Sequence, residues 1–298
     1  MKSCKLLVVG AGAAGISAAV SAWEAGCRDI LVVDRAAQPG GILLQCPHEG
    51  FGLASCGREV TGPEYAARLT DRLGSVGAVF LPKTEVLSVS ADRVAVLSRE
   101  GVLERLCFEH LILASGCREK TIGSLPVAGT RPAGIFTAGQ AQEWINLRHQ
   151  EPGDEILILG SGDLGMIMAR RFALKGRHVI AVLEQEAHYG GMARNFHRCL
   201  EAFSIPLRCR MTVRAIHGEG RICGVTCEHL DSGERKFIAC DTLVTALGLI
   251  PERELVRDLE EKDWLSFAGN CSRVYDIVDS AAAEAERIGK TVGRALSV

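Results

Sequence analysis

The stretch KLLVVGAGAAGISAAV (5–20) decides the fold. Residues 5–9 are a short apolar run rich in β-branched residues, which suits a buried parallel strand. Residues 13–25 follow with helical periodicity and many alanines, and ILVVD (30–34) makes a second buried strand. Together they form a β-α-β unit of ordinary size. Gly10, Gly12 and Gly15 occupy the turn between strand and helix. In a G-x-G-x-x-G turn, each glycine has a physical role. The first permits the tight turn, the second lets a pyrophosphate approach the backbone, and the third lets helix and strand pack closely. The helix N-terminus presents free N–H groups and a positive dipole end to the phosphates. Asp34 ends the second strand, where a carboxylate can accept hydrogen bonds from ribose hydroxyls. Ala14 in the turn and Arg35 beside the acid complete this candidate dinucleotide site.

The pattern recurs about 150 residues on. EILIL (155–159) leads into Gly160, Gly162 and Gly165, with Asp163 and Leu164 inside the turn. A helix near 163–175 and the strand HVIAVLE (178–184) follow. Glu184 is the matching acid. Its charge would repel a 2′-phosphate, which favours NAD(H) over NADP(H). Arg177, just ahead of the strand, is the one residue that argues the other way, and a solvated strand-end charge is the alternative reading of Glu184. Two dinucleotide sites in one chain imply hydride traffic, with FAD at one and a nicotinamide at the other. Spacing alone does not say which site holds which.

The remainder of the chain fits a second domain inserted into the first. A helix is expected near 62–77, strands near 79–108, and the apolar strand HLILAS at 110–115. A linker-like region rich in Gly, Pro and Thr covers 117–135. A helix near 192–203 and a β meander near 207–239 follow. The strand DTLVTALG (241–248) then leads back to the first domain, closing at Gly248. A final helix is expected from Val274 or Asp276 to Leu296. The fold class is α/β, with two Rossmann-like dinucleotide-binding domains. The expected boundaries are 1–118 with 246–298 for the first domain and 119–245 for the second.

Composition excludes several alternatives. The 298 residues carry 34 Lys+Arg against 36 Asp+Glu, a net charge of −2 that argues against nucleic acid as partner. Twelve cysteines occur, but no Cys-x-x-Cys and no His/Cys cluster at metal-ligand spacing, so no metal site is expected. Reduced thiols in the cytoplasm are the expected state. The apolar N-terminus resembles a signal peptide at a glance. Its glycines break that pattern, and no other stretch is long enough for a membrane span.

Longer strings carry a family resemblance. They are GGILLQCPHEGFG (40–52), TGPEYAARL (61–69), RPAGIFTAGQAQEWINL (131–147), ILILGSGDLGMIMARRFALKG (156–176), DTLVTALGLIPERELV (241–256) and FAGNCSRVYDIVD (267–279). The chain resembles the two-domain pyridine nucleotide–disulfide oxidoreductases, the thioredoxin-reductase-like flavoproteins. Within them it is similar to FAD/NAD-dependent oxidoreductases encoded beside glycerol-3-phosphate dehydrogenase-like flavoproteins. It is also similar to flavoprotein subunits of opine oxidase, hydrogen cyanide synthase and dye-linked proline dehydrogenases. The resemblance implies FAD on the first glycine turn and a nicotinamide dinucleotide on the inserted domain. Ala114-Ser115-Gly116 looks like the family's A-T-G turn, and Gly40-Gly41 like the glycine pair beside the flavin. Gly269-Asn270 stands where the family has Gly-Asp against the flavin ribityl or phosphate. Thr137 to Gln140 border the flavin in the resemblance. Gln140 would then bond the ring or a nicotinamide amide, with a plain interdomain loop the equal alternative. Asp276 would begin the final helix, aimed at the flavin, or serve as a simple N-cap.

The chain departs from thioredoxin reductases in lacking their Cys-x-x-Cys, which excludes dithiol exchange by that route. Relative to the FAD/NAD-dependent oxidoreductases it resembles, the segment between Leu255 and Gly269 is trimmed. Cys46 and His48 lie on the loop expected near the isoalloxazine ring, as acid–base or flavin-tuning groups. The alternative is an inert buried Cys beside a structural His. Cys56 would pair with Cys46 only if the chain folds back. The expected activity is transfer of hydride or electrons between NADH and a partner redox protein or small acceptor, the partner being a flavoprotein or iron–sulfur subunit. Two other readings remain open, a flavoprotein subunit of an amine- or opine-type dehydrogenase and a non-catalytic FAD-binding sensor or scaffold. Homo-oligomerisation is left open, since no interface segment is recognisable.

Overall fold

In the computed structural model, which describes residues 2–259 and 261–297, the opening apolar run becomes the strand Lys2–Val9. It lies inside a sheet, parallel to Ile30–Val33 on one side and to Val102–Leu113 on the other. Leu6, Leu7 and Val8 therefore expose no surface, and each such burial contributes about 1.5–3 kcal/mol. Val79–Leu81 extends the parallel sheet beyond Ile30–Val33, and Leu265–Phe267 extends it beyond Leu111–Leu113. The first half of Val102–Leu113 pairs instead with the antiparallel arm Val94–Arg99 and Thr84–Val89.

These elements belong to the first of two units, residues up to Arg118 together with those from Ile250 onward. The helix Ala13–Glu24 buries every residue from Gly15 to Ala22. One side faces the sheet and the other faces the helix Val278–Ala295. A Cβ at Gly289 would stand 2.2 Å from the Ala18 carbonyl oxygen, and one at Gly293 would stand 2.4 Å from that of Ala22. The two helices thus touch backbone to backbone, which side chains at these positions would forbid. The helix Gly62–Gly74 opens with a Thr61/Glu64 capping box and packs Tyr65, Ala66, Leu69 and Leu73 into the same core. It stops at Gly74, short of the expected 77, where the Ser75 hydroxyl donates to the Arg72 carbonyl and the Val76 N–H turns to that of Leu73.

His110 lies on Val102–Leu113 with Nε2 2.9 Å from the Ser266 hydroxyl. Burial pushes its imidazole down from 6.5 to about 4. In the unfolded chain the group takes up its proton near pH 6.5, whereas the folded chain resists it. Stability supplied by the neutral ring is therefore complete above pH 6.5 and is lost as the pH falls toward 4. Chemical denaturation of His110→Gln should show a shallower loss of stability over that window than the parent does. Parallel curves would show that other groups set the acid limb.

The second unit, Glu119–Leu249, has its own parallel sheet. The strand order is Ile135–Thr137, Thr242–Thr245, Glu155–Leu159, His178–Leu183, Leu207–Arg208. A second sheet, Ala128–Gly129, Met211–Gly218, Ile222–His229 and Arg235–Ala239, packs against it through Leu157, Leu159, Val213 and Val225. The helix expected near 192–203 is present as one irregular helical segment, α at Ala193–Asn195, π at Phe196–Leu200 and 3-10 at Glu201–Phe203. Asp163 binds both the Met192 N–H and the Asn195 side chain, which anchors the segment at its start. The stretch from Thr137 to Gln140 is not a loop but the start of the helix Ala138–Asn146, closed by a Thr137/Gln140 capping box.

Candidate dinucleotide sites

The two glycine turns share the same backbone build. Gly10 and Gly160 have φ of 104° and 108°, where a side chain is strained. Their N–H groups donate to the Val33 and Leu183 carbonyls. A Cβ at Gly10 would stand 2.4 Å from the Ala114 carbonyl oxygen, and one at Gly160 would stand 2.2 Å from that of Ala246. A Cβ at Gly15 would strike the Gly10 carbonyl, and one at Gly165 that of Gly160. Gly12 and Gly162 differ from all of these, since a Cβ at either meets nothing within 4 Å. The outer glycines are thus closed against the protein, and only the middle one faces open space.

That open space is where a pyrophosphate would have to lie. Gly12 and Gly162 are the N-caps of their helices, and neither brings a side chain to cap the first turn. The first N–H groups there are the donors that helix geometry leaves unpaired. Gly116 and Gly248, after the two matching strands, are likewise open. The residues present therefore fit an adenine dinucleotide at both turns.

The acids match as well. Asp34 accepts the Ala11 N–H at 2.7 Å and the Ala36 N–H at 2.8 Å. Glu184 accepts the Ser161 and Glu186 N–H groups, each at 3.0 Å. Glu184 is 8% exposed, so it is not a solvated strand-end charge. Arg177 stands at the opposite end of the strand His178–Leu183, roughly 20 Å from it at strand rise. There it pairs with Asp154 and Glu151, out of reach of a ribose held on Glu184.

Several other expected residues come together around the first turn. Gly40 donates to the Ala11 carbonyl at 2.8 Å, and a Cβ at Gly41 would stand 3.0 Å from the Gly12 Cα. Gly269 approaches from another side, with room for a Cβ only 2.5 Å from that of Ala14. Asn270 Oδ1 accepts the Tyr275 N–H at 3.1 Å, and its amide nitrogen lies 3.6 Å from Cys117 Sγ. The Ser115 hydroxyl donates to the Glu252 carbonyl. Arg35 is exposed, and Leu164 packs against the core of the second unit. Gln140 Oε1 accepts the Thr137 N–H at 3.1 Å, as part of its cap.

Cys46 is buried, and its thiol donates to the Ile42 carbonyl at 3.2 Å. Its carbonyl accepts the Gly62 N–H, which folds the loop onto the helix Gly62–Gly74. His48 is half-buried against Phe51, ring centroids 5.0 Å apart. Among the described residues, no disulfide joins Cys46 to Cys56. Asp276 needs correction. The final helix begins at Val278 with Ile277 as its N-cap, and Asp276 is exposed ahead of it. The acid in the first turn is Asp279, which accepts the Gly52 and Ala54 N–H groups at 3.0 Å each.

The sequence reading missed four contributors. Asp279 and Glu284 lie on the final helix, and Glu284 accepts the Gly269 N–H at 3.0 Å. Gly190 and Gly191 cover the second turn as Gly40 and Gly41 cover the first. The Gly191 N–H donates to the Ser161 carbonyl, and that of Gly190 to the Ser161 hydroxyl at 2.9 Å. The signal was present, because the second glycine pair follows the first at the same spacing as the two glycine turns.

A family model for the pyridine nucleotide-disulphide oxidoreductases matches residues 4–266. The chain belongs to this family. Members are flavoprotein oxidoreductases with a Rossmann-type fold. Among the relatives of this pyridine nucleotide-disulphide oxidoreductase is the HcnB subunit of hydrogen cyanide synthase from Pseudomonas aeruginosa, 28% identical over 277 residues. That match covers 85% of this chain and 58% of the relative. An opine oxidase subunit of Agrobacterium tumefaciens is 26% identical, over 84% of this chain and 53% of the relative. The chain thus spans a little over half the length of these curated relatives. In fold it matches thioredoxin reductase of T. acidophilum, with a TM-score of 0.80 and 21% identity over 98% of both chains. No helix among the described residues is long and apolar enough to cross a membrane.

Proposed function

We propose that this flavoprotein oxidoreductase transfers hydride or electrons between NADH and a partner redox protein or small acceptor in the cytoplasm. The observation that supports it is the pair of like-built glycine turns, each open only over its middle glycine and each backed by an acid. In the first unit Gly10, Gly12, Ala14 and Gly15 would hold the FAD pyrophosphate and Asp34 the adenosine ribose. Gly40, Gly41, Gly116, Gly269 and Asn270 would flank the cofactor. In the second unit Gly160, Gly162 and Gly165 would hold the NAD(H) pyrophosphate and Glu184 its ribose, with Gly248 beside them. Bound flavin supplies two-electron chemistry that couples a nicotinamide to a second acceptor. Each helix N-terminus offsets the phosphate charge with backbone donors. Ionised Glu184 discriminates against a 2′-phosphate by repulsion.

The test is anaerobic mixing of the purified holoprotein with NADH and, separately, NADPH. Rapid bleaching of the visible flavin band by NADH and slow bleaching by NADPH is the expected result. A yellow protein that neither nucleotide bleaches would sink the proposal. A second reading rests on the names of the relatives, which are subunits of hydrogen cyanide synthase and opine oxidase. On that reading the chain works inside an amine- or opine-type dehydrogenase, beside a flavoprotein or iron–sulfur subunit. Bleaching by an amino acid in the absence of NADH would favour it.

A further inference from the structure

The two acids that back the glycine turns have unequal spare capacity. An ionised carboxylate offers about four lone-pair sites. Among the described residues, Asp34 fills one site on each oxygen, with the Ala11 and Ala36 N–H groups. Glu184 fills one on Oε1 with the Glu186 N–H and two on Oε2, where the Ser161 N–H and hydroxyl both donate. The extra donor comes from one of the three differences between the turns, Ala11 in the first and Ser161 in the second. The Ser161 hydroxyl lies 2.5 Å from Oε2 and has no exposure to water. It also accepts the Gly190 N–H at 2.9 Å, which fixes its direction.

A ribose vicinal diol brings two O–H donors to such an acid. Asp34 has a free site on each oxygen to receive them, whereas Glu184 has a free site on Oε1 alone. We propose that Ser161 is a positioning residue that keeps the second unit's nucleotide exchangeable, because its hydroxyl occupies in advance an acceptor site on Glu184 that a ribose hydroxyl would otherwise take. The inference rests on the reading of the second unit as a nicotinamide dinucleotide site. It accounts for a division of labour between two turns of the same build. One dinucleotide stays on Asp34 as a resident group, and the other comes and goes on Glu184 as a substrate must.

The test is Ser161→Ala in the holoprotein, with NAD+ as the probe because it carries no hydride to give. Alanine fits a turn of this kind, as Ala11 shows. Without the hydroxyl, Glu184 keeps its two backbone donors and regains a site on Oε2, the arrangement seen at Asp34. Calorimetric titration should show NAD+ binding roughly tenfold tighter, one charge-assisted hydrogen bond's worth. Stopped-flow displacement should show release slowed by a similar factor. Flavin content and melting temperature serve as the check on folding. Ser161→Gly, which also lacks the hydroxyl, should move affinity the same way. Unchanged or weaker binding in both variants, with a parent that binds NAD+, overturns this inference and leaves the nicotinamide site standing. A parent that binds neither NAD+ nor NADH overturns both.

Discussion

Gly12→Val should yield a protein that folds and is colourless. The space beside the Gly12 Cα is open, and a Cβ there meets nothing within 4 Å. Its cost to folding is limited to a poorer helix N-cap, about 1 kcal/mol. The new isopropyl group stands where the pyrophosphate would approach the backbone, and FAD affinity should fall at least ~100-fold. Gly162→Val makes the same change at the equivalent turn. It should leave the protein yellow and as stable, yet unable to bind NADH at concentrations that saturate the parent. Flavin absorbance per mole of purified protein and an NADH titration separate the two variants. A Gly12→Val protein that keeps its full flavin would remove the first turn from the cofactor site. Loss of flavin from Gly162→Val would mean that the assignment of cofactors to turns is reversed.

Gly289→Leu should destabilise the protein far more than either of those valine substitutions. The Ala18 carbonyl, 2.2 Å from the position of a Cβ, is backbone and cannot rotate away. The helix Val278–Ala295 must move off the helix Ala13–Glu24 to admit the side chain. Overpacking of this kind costs about 3 kcal/mol, or roughly 6–12 °C in melting temperature for a unit of this size. The displaced helix also carries Asp279 and Glu284, which hold the Gly52–Ala54 turn and Gly269, so flavin retention should fall with stability. Lys290→Leu, one residue on and exposed, is the control and should leave both properties unchanged. A Gly289→Leu protein that melts with the parent would show that the helices can slide apart without loss.

What could be read from the sequence is what local physics determines. KLLVV, the glycine turn and Asp34 lie within one β-α-β unit, and their spacing alone predicts strand, turn, helix and acid. Repetition of that pattern at Gly160 to Glu184 predicts the second sheet. What could not be read acts across long separations. Asp279 meets Gly52 only when the chain folds, and no periodicity marks it as different from Asp276, which precedes the same apolar run. Ser161 reads as a neutral small residue in a turn until Glu184 and Gly190 are brought to it. The 192–203 segment has helical composition and is helical, yet Asp163 anchors its first turn and its middle is π-helical.

The order in which the first unit is completed also follows from its discontinuity. Residues up to Arg118 leave the ribosome early, but the strand Leu265–Phe267 and the helix Val278–Ala295 emerge only after all of Glu119–Leu249. Until then the Ala13–Glu24 helix lacks the partner that covers it, and its apolar face is open to chaperones or to aggregation. Completion of the first unit is therefore a late event in biosynthesis, and the second unit can fold while the first still waits for its closing helix.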